Sequence, residues 1–353
     1  MKSFLTIFLA FSICACSGGG DGAPSQQSFA ALGRKIFFDT NLSNPGGVAC
    51  ATCHSAEAAF SDPRHLAVSP GAVSGTQGTR NAPTIMYSLF SPAFGFSDEE
   101  EDYIGGQFHD GAALDLEQQA MRPFFRHVEM NLTNHETLRQ KVASASYASE
   151  FSAVFGEATL SDAEQTLIAV ASAIAAFENS QELQPFSSKY DAWAAGQVQL
   201  TDQERRGMEL FNAPNKGNCA ACHPSTGDDG SATRALFTDF TYDNVGLPAN
   251  KAVNSSSDLG LYANTGRPSD VGRFKVPTLR NVAVTAPYFH HGLMKTLKEA
   301  VHFYNARDID SSIGTPEFAE NMNILELGNL GLTDQEEEDI VAFLNTLTDG
   351  YTE

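Results

Sequence analysis

Apolar positions recur at helical spacing in some segments of the chain and give way to turn-forming residues in others. Residues 163–178 have apolar side chains three and four positions apart, and residues 335–347 repeat this amphipathic pattern. Segments with the two-residue alternation of strands are sparse. Two long stretches, 61–82 and 212–281, are rich in Gly, Asn, Ser and Pro, which is typical of loops. The pattern therefore predicts a mainly α fold with extended loops.

Helix starts are marked by capping boxes, in which a Ser or Thr and a Glu three residues later bond each other's backbone N–H groups. The four pairs are Thr133 with Glu136, Ser161 with Glu164, Thr201 with Glu204, and Thr333 with Glu336. We expect a helix to begin at each of these positions.

Two Cys-x-x-Cys-His motifs stand far apart in the chain. In each motif the two thiols can form thioethers with haem vinyl groups, and the adjacent imidazole can ligate the iron. A zinc site, a redox dithiol or a structural disulfide could also use such a Cys pair, but none of them explains a His at the same place in both copies. The motifs therefore predict two covalent c-type haems. Their attachment residues are Cys50, Cys53, His54, Cys219, Cys222 and His223.

A weak internal repeat precedes the two motifs. The sequence Gly-x-x-aliphatic-Phe occurs at Gly33–Phe37 and again at Gly207–Phe211, each time followed by a loop and a haem motif. Duplication of a small domain explains this arrangement, and 353 residues suit two domains. We predict two cytochrome c-like domains, residues 28–183 and 184–353, each wrapped around one haem c.

The N-terminus has the pattern of an export signal. Residues 3–15 form an apolar run that is too short to span a bilayer as a mature helix. The sequence Ile13–Cys16 resembles a bacterial lipobox, which predicts a signal peptide of residues 1–15 and acylation of Cys16. An ordinary secretory signal is the alternative.

The residues after Cys16 indicate how the protein is held. Residues 16–27 are rich in Gly and Ser and predict a flexible tether. We expect a lipid-anchored protein on the periplasmic face of a bacterial membrane. The outer membrane is slightly preferred, because Ser17 stands where an Asp often signals retention in the inner membrane.

Charge narrows the range of partners. The formal net charge is −21, which makes nucleic acid and anionic membrane surfaces poor partners. A cationic protein partner is electrostatically favoured. Solubility alone is an equally good explanation of an acidic surface.

Motifs beyond haem attachment resemble those of the bacterial dihaem cytochrome c peroxidases and their relative MauG. The matching segments are Arg80–Thr84, Gln107–Gly111, Leu116–Ala120, Val128–Met130, Val276–Val282 and Thr285–His290. The resemblance implies an enzyme whose N-terminal haem, on His54, binds hydrogen peroxide at an open sixth position. The C-terminal haem, on His223, would be six-coordinate and exchange electrons with a protein partner.

The resemblance also assigns residues to the open face of the first haem. Glu129 would take a proton from bound peroxide and return it to the leaving oxygen, which is general acid–base catalysis. Gln119 would position peroxide or water, and Pro123 would pack over the open face. The alternatives are a surface helix residue for Glu129 and a helix-face contact for Gln119.

A calcium ion commonly lies between the haems in this family. The matching ligands are the side chain of Asn81 and the backbone carbonyls of Thr285 and Pro287, and such oxygen ligands suit calcium. A turn-stabilising Asn and an ordinary Thr-x-Pro are the alternative.

The chain departs from the peroxidase pattern at the second haem. Tyr304 follows Glu299–Val301 where ordinary peroxidases have a Met ligand, and MauG has a Tyr at this place. A phenolate is a hard anionic ligand that favours ferric iron and lowers the potential. Alternatively, Tyr304 is a core aromatic residue and Met294 or Met322 is the ligand.

Two further departures concern the first haem and the path between the haems. Peroxidases that need reductive activation have a closing His where this chain has Pro70, and His65 is the only His nearby. The family's inter-haem Trp is replaced by His109. An imidazole is harder to oxidise than an indole, so His109 could act as a hydrogen-bonded bridge, or Tyr103 or Phe108 could help.

Three classes of function follow. The leading hypothesis is an exported enzyme that uses hydrogen peroxide to oxidise a protein partner, as MauG does. The second is a cytochrome c peroxidase that takes electrons from a small cytochrome or copper protein. The third is an electron carrier with two six-coordinate haems, which the open-site pattern disfavours.

Overall fold

A computed structural model describes residues 25–227, 230–253 and 256–352. The predicted signal peptide and the acylation site at Cys16 lie outside the described residues and stay predictions. The first helix begins at Gln26, inside the stretch predicted as a tether. No helix of the described residues is both long and apolar enough to cross a membrane.

Helices dominate both halves, so the mainly α prediction is confirmed. The helices of the first half are α1 (Gln26–Phe37), α2 (Cys50–Cys53), α3 (Leu116–Met121), α4 (His135–Ala143), α5 (Ala148–Phe155) and α6 (Ala163–Glu178). Those of the second half are α7 (Lys189–Ala194), α8 (Asp202–Asn212), α9 (Tyr262–Thr265), α10 (Leu297–Ala306) and α11 (Asp334–Asn345).

Strands are short and form two antiparallel pairs. The strand β1 (Gly95–Ser97) pairs with β2 (Asp102–Ile104), and β3 (Tyr242–Asp243) pairs with β4 (Phe274–Lys275). Single 3₁₀ turns occupy Thr40–Leu42, Ala56–Ala58, Ser88–Phe90, Pro123–Phe125, Glu157–Ser161, Gln181–Leu183, Cys219–Ala221, Pro268–Asp270, Val282–Val284 and Ser311–Ile313. The predicted loops therefore carry only brief regular structure.

Two of the four predicted helix starts are confirmed. Thr201 and Thr333 each form a reciprocal capping box with the Glu three residues later. The other two predictions are wrong by one residue. Asn134 caps α4 and Asp162 caps α6, because a short Asn or Asp side chain at the next position caps at least as well as Thr or Ser.

In each half the first long helix crosses the last at a glycine. A Cβ atom at Gly33 of α1 would lie 1.8 Å from the carbonyl oxygen of Ala173 in α6. In the second half, Gly207 of α8 meets the carbonyl oxygen of Asp339 in α11 at the same 1.8 Å. The repeat found in the sequence is therefore a repeated helix crossing.

The Phe of each repeat completes the crossing. The ring centroids of Phe37 and Phe177 are 5.1 Å apart, and those of Phe211 and Phe343 are 5.2 Å apart. Each pair belongs to the apolar core of its own half. The chain passes from the first core to the second between Leu183, which is buried in the first, and Tyr190, which is buried in the second.

We predict that Gly33→Ala and Gly207→Ala each lower the free energy of unfolding by about 1–3 kcal/mol, because the added methyl group cannot fit against a backbone carbonyl. Elsewhere in a helix, Ala stabilises by roughly 0.5–1 kcal/mol relative to Gly, so the sign is diagnostic. Chemical denaturation measures the change. Gly46→Ala is the control, because its nearest neighbouring atom is 3.7 Å from the new Cβ. Equal stability of all three variants would contradict the close crossing.

Candidate functional site

Backbone carbonyls fix the imidazole of each haem motif. Nδ1 of His54 lies 3.2 Å from the carbonyl oxygen of Phe60 and 3.1 Å from that of Pro83. Nδ1 of His223 lies 2.8 Å from the carbonyl oxygen of Phe237. A carbonyl only accepts hydrogen bonds, so Nδ1 carries the proton and Nε2 keeps the lone pair that a metal needs. Burial lowers the pKa of both imidazoles, that of His223 to about 4, which keeps them neutral.

The shell behind these imidazoles is duplicated. Thr84 donates its hydroxyl proton to the carbonyl of Ala59 at 2.6 Å, and Thr278 donates to Leu236 at 2.6 Å. The residue after each Thr donates its N–H to the carbonyl that also accepts the imidazole proton. Ile85 donates to Phe60 and Leu279 donates to Phe237, both at 3.3 Å. The signal was present in the sequence as Pro-Thr-aliphatic, at 83–85 and 277–279, but the Gly-Phe repeat alone was recognised.

The chemistry of the cysteines fits covalent haem. The four described cysteines are free of disulfide bonds. Burial raises the pKa of Cys50, Cys219 and Cys222 to about 12, so these cysteines are protonated thiols before any group is attached. In the described ranges, potential metal-ligating groups of three or more His, Cys, Asp or Glu side chains are limited to Cys222 with Asp243 and Glu326, which contains no His.

A cavity of about 1160 Å³ adjoins the first motif. Its size exceeds the ~300–1,000 Å³ of ordinary cofactor pockets. Its walls bring together the first haem motif and the residues expected on the open face of that haem. These are Cys50, Cys53, His54, Gln119, Pro123 and Glu129. With neutral thiols and a free imidazole Nε2, this donor set and space fit a haem c.

The position of Glu129 is set by its backbone. Its carbonyl accepts the N–H of Ala72 at 2.7 Å, and its N–H donates to the carbonyl of Arg126 at 3.0 Å. The carboxylate also pairs with the Arg126 guanidinium at 3.0 Å. Burial raises the pKa of Glu129, with Arg126 opposing the shift. The side chain is therefore a half-buried carboxyl group in the cavity wall, placed to exchange a proton with a molecule in the cavity.

Pro70, which the resemblance places at the position of a closing His, lies in the wall of the same cavity. His65 is held elsewhere, because its Nδ1 lies 3.0 Å from the carbonyl oxygen of Ala286. His65 does not line the cavity.

His109 also lines the cavity, and its Nε2 lies 3.0 Å from the carbonyl oxygen of Asn81. Burial and the nearby Arg80 lower the pKa of His109 to about 4. Arg80 is held in turn by two carboxylates, Asp110 at 2.7 Å and Asp258 at 2.6 Å. His109 is therefore a neutral imidazole in a charged, tightly bonded setting.

The residues expected to bind calcium approach the same loop, at residues 65–66. The side-chain amide of Asn81 donates to the carbonyl of Leu66 at 3.1 Å. The preceding residue, His65, bonds the carbonyl of Ala286, which lies between Thr285 and Pro287. The calcium site itself stays a prediction.

Tyr304 lies on α10 beside the second motif. Burial raises the pKa of its phenol, and the negative potential of Cys222 and Asp243 raises it further. The sulfur of Met322 instead packs against Gly246, where a Cβ atom would lie 2.1 Å away.

The two halves match two family models. Residues 27–199 match the model described as di-haem cytochrome c peroxidase, and residues 204–348 match cytochrome c. The chain is 40% identical to the methylamine utilization protein MauG of Paracoccus denitrificans, over 97% of this chain and 94% of MauG. The chain belongs to the di-haem cytochrome c peroxidase and MauG family. Membership confirms the predicted resemblance, the two cytochrome c-type domains and the two haem c groups, and shows an oxidoreductase that acts on peroxide.

Both branches of this family are among the relatives. The cytochrome c551 peroxidase of Nitrosomonas europaea is 33% identical over 92% of this chain and 81% of its own. The crystal structure of the diheme peroxidase BthA from Burkholderia thailandensis superposes with a TM-score of 0.84 at 33% identity, covering 93% of this chain and 90% of BthA. A MauG-like protein associated with microbial copper homeostasis gives 0.73 at 32% identity, covering 93% and 91%.

Proposed function

We propose that this enzyme uses hydrogen peroxide at its N-terminal haem site to oxidise a protein partner through the second haem site. The observation that carries the proposal is the composition of the first cavity. Its wall joins the haem attachment residues to Glu129 and Gln119, and has Pro70 where a closing His would stand. A peroxide-reactive position that needs no reductive opening suits an enzyme that stores oxidising equivalents for a slow protein substrate.

Haem iron, when bound, supplies the redox chemistry of peroxide cleavage. Glu129 is the residue that moves the proton. With haem bound, its carboxylate would take a proton from one oxygen of hydrogen peroxide and give it to the other, so that water could leave. The Arg126 ion pair orients the carboxylate, and Gln119 offers an amide to hold peroxide beside it.

Tyr304 is proposed as the residue that would hold the iron of the second haem. The support is the electrostatic influence of Cys222 and Cys219 on its buried phenol and the packing of Met322 against Gly246. A phenolate ligand lowers the haem potential and stabilises the oxidised forms, which favours oxidation of a protein over rapid turnover with a cytochrome.

A partner surface lies next to the second haem motif. Ile324 and Leu325 are 66% and 92% exposed, on a segment whose next residue, Glu326, lies beside Cys222. The same segment bonds the motif through the side-chain amide of Asn218, which donates to the carbonyl of Glu326 at 3.3 Å. Two large apolar side chains in water at a redox centre favour protein contact.

Acidic groups lie around Cys222, next to the segment that carries Ile324 and Leu325. Asp243 and Glu326 approach Cys222, and Asp239 donates its N–H to the Cys222 carbonyl at 3.1 Å. Burial and the negative potential of Glu100, on the acidic turn between β1 and β2, raise the pKa of Asp239. The negative charge of these acidic groups complements a lysine-rich face of a partner protein.

A conventional cytochrome c peroxidase is the second candidate. The Glu129 and Gln119 pair supports it equally, and the acidic surface suits a basic cytochrome donor. The two candidates differ in whether the diferric protein reacts with peroxide and in how fast a reduced cytochrome is consumed.

Rapid mixing of the diferric protein with one equivalent of hydrogen peroxide separates the candidates. We expect both haems to become oxidised without prior reduction, seen in Mössbauer and near-infrared spectra. Glu129→Gln should slow this reaction by about 10²–10⁴-fold, because the amide cannot accept the proton. Glu117→Gln, on the exposed face of α3, is the matched control. If the diferric protein does not react with peroxide until one haem is reduced, the MauG-like proposal is wrong.

Replacing Tyr304 tests the second haem ligand. We expect Tyr304→Phe to raise the potential of that haem by on the order of 0.1 V, because an anionic ligand is lost, and to change its absorption spectrum. Tyr288→Phe is the control, since this phenol donates to the carbonyl of Val282. Spectroelectrochemistry measures both, and unchanged spectra for Tyr304→Phe would show that another residue ligates.

The partner surface is tested with the double variant Ile324→Ser and Leu325→Ser. We expect KM for a lysine-rich reduced cytochrome c to rise about tenfold, since two truncated contacts cost ~1.4 kcal/mol together, with the peroxide reaction unchanged. Ile168→Ser on α6 is the matched control, 40% exposed in the first half. The measurement is repeated as the ionic strength is raised, so that the Debye length falls from about 30 to about 8 Å. A KM that changes neither with the variant nor with ionic strength would exclude this surface.

A further inference from the structure

The two haem sites are joined behind their imidazoles by a symmetric backbone junction. Tyr87 and Asn281 occupy equivalent places in the two halves. Both have φ of 63°, and both donate their N–H to the end of their own half, Tyr87 to Leu183 and Asn281 to Leu347. Each follows the Pro-Thr-aliphatic segment of its own haem shell. The same backbone position therefore holds a phenol in one half and an amide in the other.

Hydrogen bonds connect Tyr87 to the first haem site. The carbonyl of Phe60 accepts the proton of His54 Nδ1 and the N–H of Ile85, two residues before Tyr87. The Tyr87 ring lines the cavity of the first motif and is 2% exposed. In the second half, the carbonyl of Phe237 makes the equivalent pair of bonds to His223 and to Leu279, two residues before Asn281.

A single carboxylate closes the gap between Tyr87 and Asn281. The Tyr87 hydroxyl donates to Oδ2 of Asp349 at 2.8 Å, and the side-chain amide of Asn281 donates to the same oxygen at 2.8 Å. The N–H of Asp349 returns a bond to the Asn281 carbonyl oxygen Oδ1 at 2.8 Å. A continuous chain of hydrogen bonds and short backbone segments thus runs from His54 to His223.

Among the described residues, the side chains of His109, Phe108 and Tyr242 have no hydrogen bond to a carboxylate that could take a proton. Nε2 of His109 donates to a backbone carbonyl, and the Tyr242 hydroxyl donates to the carbonyl of Gly105 at 2.6 Å. Phe108 has no proton to give. A neutral phenol at pH 7 is oxidised easily only when its proton can leave, and a carboxylate can take it whereas a carbonyl cannot.

The charged groups near Tyr87 favour a neutral tyrosyl radical. The guanidinium of Arg280 lies 5.0 Å from the ring centroid, but Asp191 neutralises it through bonds of 3.0 and 2.8 Å. Burial and the Asp349 charge raise the pKa of Tyr87 above its ordinary value, and the Arg280 charge opposes this shift only in part. The phenol therefore keeps its proton until an electron leaves.

We propose that Tyr87 is a redox-active residue that relays oxidising equivalents between the two haem sites, with Asp349 as its proton acceptor. The proposal rests on the proposed peroxide reaction, which supplies the oxidant. One electron passes from Tyr87 to the peroxide-oxidised first haem site while the phenolic O–H bond breaks and its proton forms an O–H bond on Asp349. An electron from the second haem site then reduces the tyrosyl radical, and Asp349 returns the proton.

The test is freeze-quench electron paramagnetic resonance of the diferric dihaem protein after addition of hydrogen peroxide, with normal and ring-deuterated tyrosine. We expect a tyrosyl signal that narrows with deuteration and is lost in Tyr87→Phe. It should also be lost in Asp349→Asn. The new amide keeps an oxygen that can accept a hydrogen bond from Tyr87 or Asn281, but it cannot take a proton. Tyr242→Phe is the matched control, because it removes an equally buried phenol that bonds only a carbonyl, and it should keep the signal.

Optical spectra of the same samples separate the possible failures. If peroxide oxidises the haems in every variant but the tyrosyl signal persists in Tyr87→Phe, the relay is overturned and the proposed function stands. If peroxide leaves the haems of the wild-type protein unchanged, both fail. Thermal melting and the haem spectrum of each resting variant show whether the fold is intact, and a signal lost in Tyr87→Phe but kept in Asp349→Asn would overturn the role of the carboxylate.

Discussion

In each half of this protein two helices cross so closely that a backbone carbonyl occupies the space of a side chain. Gly33 and Gly207 make these contacts possible, and the Phe four residues later packs into the core beside each one. Each of these helices leads through a loop to the haem motif of its half. Because protein interiors are close-packed, a shift at the crossing would move the motif, the imidazole and the carbonyl shell behind it together.

The haem shells show how one scaffold serves two different chemical tasks. The imidazoles of His54 and His223 are oriented by equivalent backbone carbonyls, so the difference between the sites lies in the other side chains around each motif. The first site has a carboxyl group, an amide and a proline in a large cavity. The second has a phenol beside the motif. The two sites therefore share one backbone arrangement, and a few side chains determine their different functions.

Much of this arrangement could be predicted from the sequence, because covalent haem attachment needs a fixed motif and helix caps need particular residues. Thr201 and Thr333 were identified for that reason. The caps at Asn134 and Asp162 were missed by one residue, because two adjacent good caps compete and only the local backbone decides between them. The placement of Glu129 in the cavity follows from the resemblance. The Asp349 junction could not be predicted, since it depends on contacts between residues about 70 and 260 positions apart, and no spacing rule covers such distances.

The carboxylate of Asp349 also has a consequence for the order of assembly. It contacts the first half through Tyr87, the second half through Asn281, and the connecting segment through the N–H of Ser187 at 2.9 Å. All of these partners are synthesised earlier, as are both haem motifs. The core of the second half includes Leu344 and Leu347, so it is complete only a few residues before Asp349 is made. Asp349 therefore joins the halves as the second core closes, and it adds to the ion pairs of Arg80 with Asp258 and of Arg273 with Asp102.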